Sequence, residues 1–341
     1  MSSTPTPLRG RLPLVLGLLA LAPISAEYLS GYDDTTGDPL ALLYGLLFLG
    51  PLYGGPAVLI REFARRRGLG WPSILVLGLA FGLVQAGMID QSLFSTSYRD
   101  IEYWSDLVGP TFVEPLGTSA FGVMAFLVGH AVWSYCAPIA VMEGVWPGER
   151  DQPWLRAPGI ILVTVAYLVA ATAILTDHLR TESDHASLGQ LLASALIVLA
   201  LGVLASLLGR RRPTTPTQRQ VPAPWLLALG AAIVALVFDL QPSTWTGVAG
   251  GGAALILTVV VITALSRSSQ WTPAHGVALA AGALTGRAVL GFLAQPIGAV
   301  SAVAKYSHNT VLLALVLTLT AVAIHRSLSP FRSGRRPGSV D

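Results

Sequence analysis

The residues of this chain best able to do chemistry are ionisable side chains set inside long apolar stretches. A charge at membrane depth is costly unless it is paired or hydrated, so each such group is a site candidate. Arg287 lies about fourteen residues into the apolar stretch 273–294, too deep to serve only as a flanking topology arginine. Judged by depth, its charge partners are Glu27 and Asp90, near the outer ends of the first and third stretches. Gln85 lies about two-thirds of the way along the third. His130 sits near the middle of the fourth, with Trp133 and Ser134 three and four residues later on the same helical face. If the faces of stretches three, four and nine meet, Gln85, His130, Trp133 and Arg287 line a polar cavity. A guanidinium there suits an anionic or zwitterionic substrate, and Glu27 or Asp90 can exchange a proton or ion. The packing alternative makes Arg287 half of a buried ion pair and His130 a hydrogen-bonded packing residue.

Glu62 and Glu143 stand near the inner ends of the second and fourth stretches. Glu62 opens "EFARRRG" and is expected to pair with Arg65 or Arg66 one turn later, as a solvated interfacial ion pair. With His130, these two glutamates are the acid–base candidates for a membrane enzyme acting on a lipid, isoprenoid or embedded peptide. No second histidine, cysteine or carboxylate stands at ligand spacing beside His130, so no metal is expected. Phosphate-loop, HExxH, GxSxG and dinucleotide signatures are absent, and no cofactor is expected. Cys136 is the one cysteine and lies in an apolar stretch, which suits a structural role.

The elements that must position these groups are helices. The chain has 341 residues, 53% hydrophobic and 11% charged, with a mean hydropathy of +0.63. Soluble domains carry about 25% charged residues, so a separate water-soluble domain has little room here. The spans are expected at 12–29, 40–60, 72–91, 118–146, 157–176, 188–208, 223–239, 245–265, 273–294 and 308–325. Each suffices as a helix to cross about 30 Å of hydrocarbon, and none alternates as a barrel strand does. The predicted fold is therefore an all-α polytopic bundle of about ten transmembrane helices.

The joints alternate in charge. Arg9 and Arg11, "REFARRRG", Arg150 with Arg156, "GRRRPTTPTQRQ", Arg267 and the tail arginines share one side. Asp33, Asp34 and Asp38, the joint 92–117 and "DHLRTESDHA" share the other. Basic joints belong in the cytoplasm, which puts both termini inside. The net charge of +3 then reflects topology and gives no reason to expect nucleic acid. Residues 9–26 also carry the pattern of a secretory signal ending in "ISA", although Pro23, Glu27 and Tyr28 fit a retained helix end. A six-helix unit (1–208), a basic linker (209–222), a four-helix unit (223–326) and a disordered tail (327–341) are expected. Within the first unit, the aromatic-rich outer joint 92–117 forms either an interface belt or a short amphipathic helix or lid. Prolines 23, 51, 56 and 138 interrupt helices near polar groups, a pattern used by secondary transporters.

Residues 61–134 resemble, in order and spacing, the CAAX-protease and bacteriocin-processing family of intramembrane enzymes. "REFARR" matches that family's paired-glutamate motif, with Arg61 at the first glutamate, Glu62 at the second and Arg66 at the following arginine. Phe81 and Gln85 match a phenylalanine four residues before a histidine, and His130 and Ser134 match a histidine four residues before an asparagine or aspartate. The resemblance implies peptide hydrolysis by glutamate- and histidine-activated water. Arginine, glutamine and serine at three key positions depart from the pattern.

Three functions are consistent with these readings. The first is a bacterial inner-membrane transporter or permease with Gln85, His130, Trp133 and Arg287 at its site. The second is the membrane enzyme using Glu62, His130 and Glu143. The third is a structural subunit assembled with another membrane chain. Membrane lipids are partners in all three.

Overall fold

Proline opens many of the long helices. It stands in the first turn of Leu12–Ala26 (α1), Pro39–Leu49 (α2), Trp71–Val84 (α4), Ala157–Thr181 (α8), Pro224–Asp239 (α10) and Pro273–Gly291 (α12). At that position its missing N–H is one the helix would leave unpaired anyway. The remaining helices are Gly55–Arg66 (α3), Trp104–Val108 (α5), Ala120–Gly129 (α6), Ala137–Val145 (α7), Leu188–Leu208 (α9), Trp245–Ser266 (α11) and Ala302–Leu328 (α13). Asp38 caps α2, Thr244 caps α11, and Ser187 with Gln190 forms a capping box on α9. The structure is a computed structural model and describes residues 10–209 and 215–328. The expected tail lies almost wholly outside the described residues, as do three of the four linker arginines.

The protein is an all-α membrane bundle. Eight helical stretches among the described residues are long and apolar enough to cross a bilayer. The 16-residue α10 and the 19-residue α12 complete the ten expected positions. Three spans are markedly longer than hydropathy indicated, among them Ala157–Thr181 against 157–176. The second runs from Pro39 to Arg66, so the arginines of "REFARRRG" up to Arg66 belong to the helix and not to a joint. The last begins at Ala302 and so includes Lys305, His308 and Asn309.

α1 is integral to the core, with Leu14, Leu18 and Ala22 fully buried. Residues from both sides of the 209–222 linker share one hydrophobic core, in which Val277, Leu284 and Val316 join Leu18, Ile60 and Ile139. α12 packs closely on α10 through its glycines: a Cβ on Gly282 would lie 2.1 Å from the Ala228 carbonyl oxygen. The outer joint folds as a cap. Trp104 is buried, stacks on Phe126 at 5.5 Å and lies 4.8 Å from Tyr98, and a two-residue hairpin pairs Phe112–Val113 with Thr118–Ser119. Both ends of the described chain lie on one face. Arg11 bonds Glu149 and the Pro153 carbonyl, and Arg326 bonds the Val145 carbonyl.

Candidate functional site

Among the described residues, three spans contain a π-helical turn: Gly50–Gly54, Gln85–Ile89 and His130–Cys136. Such turns widen the helix, disturb its hydrogen-bond ladder and recur at functional sites. Two of them run into α segments with proline in the first turn, Pro56 in α3 and Pro138 in α7. There the ring displaces a carbonyl of the preceding turn.

The three π turns bring polar side chains together on the outer side. Tyr53, from the first, stacks on His130, the opening residue of the third, with ring centroids 5.9 Å apart. His130 Nδ1 lies 3.2 Å from the Ser134 hydroxyl and its ring stacks on Tyr135. Gln85 opens the second π turn and donates from Nε2 to Asp90 at 3.1 Å, while its Oε1 is buried without a partner. The other Asp90 oxygen accepts the Ser92 amide. From the end of the first span, Glu27 accepts the Tyr32 hydroxyl at 2.8 Å and also interacts with the Tyr53 hydroxyl. Glu27, first, and then burial push the Tyr32 hydroxyl well above its ordinary pKa, so it remains a donor. Glu27, Tyr32, Asp90 and His130 are half-buried, whereas Gln85 and Tyr53 are buried. This cluster of two carboxylates, an imidazole, an amide and phenols can bind an ammonium group and can accept or release a proton.

Arg287 does not pair with Glu27 or Asp90. Its Nη1 lies 3.0 Å from Asp239 Oδ2, at the outer end of α10. The guanidinium also lies 5.1 Å from the centre of the Trp133 ring, whose indole N–H bonds the Ala283 carbonyl. Trp133 thus faces α12 while His130 faces Tyr53. Of the expected site residues, Gln85 and His130 join Glu27 and Asp90, and Trp133 and Arg287 form an adjoining wall against α10 and α12. Asp239 was discoverable, since it is the one acidic residue in 223–326 and therefore the nearest acid in sequence for Arg287. Tyr53 was signalled only by its setting, "GPLYGGP".

Glu62 and Glu143 stand elsewhere, in an ion network at the inner end. Glu143 accepts Arg65 through both oxygens, at 2.8 and 2.6 Å, and forms an ion pair with Arg61, whose Nε lies 3.1 Å away. Glu62 accepts Arg61 at 3.2 Å and the amides of Trp154 and Leu155, and forms an ion pair with Arg66 at 3.2 Å. Arg61 is fully buried against the Trp154 ring and also donates to the carbonyls of Glu149, Arg150 and Gln152. Of the expected pairings, Glu62 keeps Arg66, with the carboxylate buried and the guanidinium exposed, while Arg65 turns to Glu143. Burial selects this arrangement because each carboxylate must be matched by several donors. Glu143 lies thirteen residues along one helical span from His130, a rise of roughly 20 Å. Through Arg61, Glu62 sits at the level of Glu143. The three acid–base candidates consequently do not converge on one water, and both glutamates are committed to structural donors.

No curated protein and no solved structure matches this chain. Residues 14–329 match an uncharacterized membrane protein family, nearly the whole helical bundle described above, and the chain belongs to that family.

Proposed function

We propose that this protein is a proton-coupled transporter of the bacterial cytoplasmic membrane, with its substrate site at the three π turns. The observation that carries this reading is the convergence of those turns on Glu27, Tyr53, Gln85, Asp90 and His130, with Gln85 Oε1 left buried and unpartnered. Interrupted helices that release polar groups beside a binding site are a transporter device. Trp133 and Arg287 form the far wall. Because Asp239 neutralises Arg287, the two carboxylates set the local charge, and the substrate carries an ammonium group, as a zwitterion or a cation. The buried ion network at the inner end closes the path toward the cytoplasm, and transport requires that closure to alternate with opening. The positive-inside rule puts the ion network in the cytoplasmic half and the π turns toward the outside.

The test is thermal unfolding of purified protein against a panel of amino acids and biogenic amines. The reading expects at least one of them to raise Tm in wild type and to lose that effect in Glu27→Gln and in His130→Ala. If none shifts wild-type Tm, or if the shift persists in both variants, the site assignment fails.

A further inference from the structure

Beside the proposed transport site, whose far wall contributes Arg287, a cavity of about 270 Å³ opens between α6 and the outer end of α10. Its apolar lining residues include Phe121, Met124, Ala125 and Phe238. Its polar lining residues include Asp239 and Gln241. α10 has 16 residues and so spans about 24 Å, less than the roughly 30 Å of hydrocarbon in a bilayer. A helix that short must thin the bilayer locally or draw headgroups inward to meet its polar end.

Asp239 lines the cavity, and Arg287 stands behind it as its ion-pair partner at 3.0 Å. Arg287 occupies Asp239 Oδ2 through Nη1, which leaves Oδ1 as an acceptor. Its side chain remains 26% exposed, and no described residue accepts from Nη2. We propose that this cavity holds one amine-bearing phospholipid of the outer leaflet. Its ammonium lies on Asp239 Oδ1, its phosphate on Arg287 Nη2, and the start of an acyl chain along Phe121 and Met124. An anionic headgroup without an amine would face the Asp239 carboxylate unmatched. A quaternary amine would have no N–H to give it.

Native mass spectrometry of the full chain, titrated with phosphatidylethanolamine or phosphatidylglycerol, tests the assignment without any gradient or transport substrate. Wild type is expected to retain one phosphatidylethanolamine about tenfold more tightly than phosphatidylglycerol, the scale of one charged hydrogen bond. Asp239→Asn should lose that preference. Ala125→Phe fills the cavity without touching the ion pair, and should lose the bound lipid while keeping the wild-type Tm. Glu27→Gln should keep the lipid, which separates failure here from failure of the transport reading. Equal retention of the two lipids by wild type, or a preference that survives in Asp239→Asn and Ala125→Phe, overturns the proposal. Displacement of the lipid by an equal concentration of free phosphoethanolamine overturns it too, by assigning the site to a soluble zwitterion.

Discussion

At the residue scale, the same chemical groups serve two purposes, distinguished by how fully they are matched. Glu143 is buried, Arg65 donates to both of its oxygens, and Arg61 forms a second ion pair with it. Removing such a carboxylate leaves two guanidinium groups buried beside an empty place, and breaking a buried pair costs roughly 3–5 kcal/mol. Glu143→Ala is therefore expected to lower unfolding stability in detergent by that amount, and a change under about 1 kcal/mol would contradict the buried network. Gln85 differs in kind: its Nε2 is used and its Oε1 is not. A buried acceptor without a partner is costly to keep, and this is the observation on which the proposed binding role of Gln85 rests. The type of Glu62 and Glu143 was legible from sequence, but their saturation was not. Counting donors requires knowing that 149–155 folds back over α3.

At the scale of elements, the outer cap is held to the bundle by loop-to-loop contacts. Asp184, just beyond α8, accepts the Thr96 hydroxyl and the amides of Thr96 and Ser97. The Thr96 hydroxyl, first, and those amides hold its carboxyl below the usual aspartate range. A depressed folded-state pKa contributes stability above the unfolded value, about 3.9, and that contribution disappears as pH falls through the folded value. Amide hydrogen exchange at Thr96 and Ser97 is therefore expected to accelerate below about pH 4. Asp184→Asn should show the faster exchange already at neutral pH. Pro56 and Pro138 were visible in the sequence as helix interruptions, but the π form of the preceding turns was not. A missing N–H can be accommodated by a kink, a bulge or a wider turn, and neighbouring helices select among these.

At the scale of the whole molecule, Arg11 and Arg326 meet the same inner region, so the described chain crosses the membrane an even number of times. In a background with Cys136 buried, Ser183→Cys is expected to react with an impermeant maleimide in intact cells. Arg67→Cys should react only after permeabilisation. The reverse pattern would invert the topology and place the π turns on the cytoplasmic side.

The sequence by itself determined that the chain is an all-α membrane bundle, where its spans lie, and that both ends share a face. Length, hydropathy and arginine placement are properties of each segment alone, and a bilayer reads them one segment at a time. Only the tertiary structure decided which side chains meet: Arg287 with Asp239, Arg65 with Glu143, Tyr53 with His130. A helix apolar on all sides carries no stripe to show which face turns inward, and each residue turns that face by about 100°. Close packing at glycines such as Gly282, together with the register shifts of the π turns, sets those rotations and so determines the site.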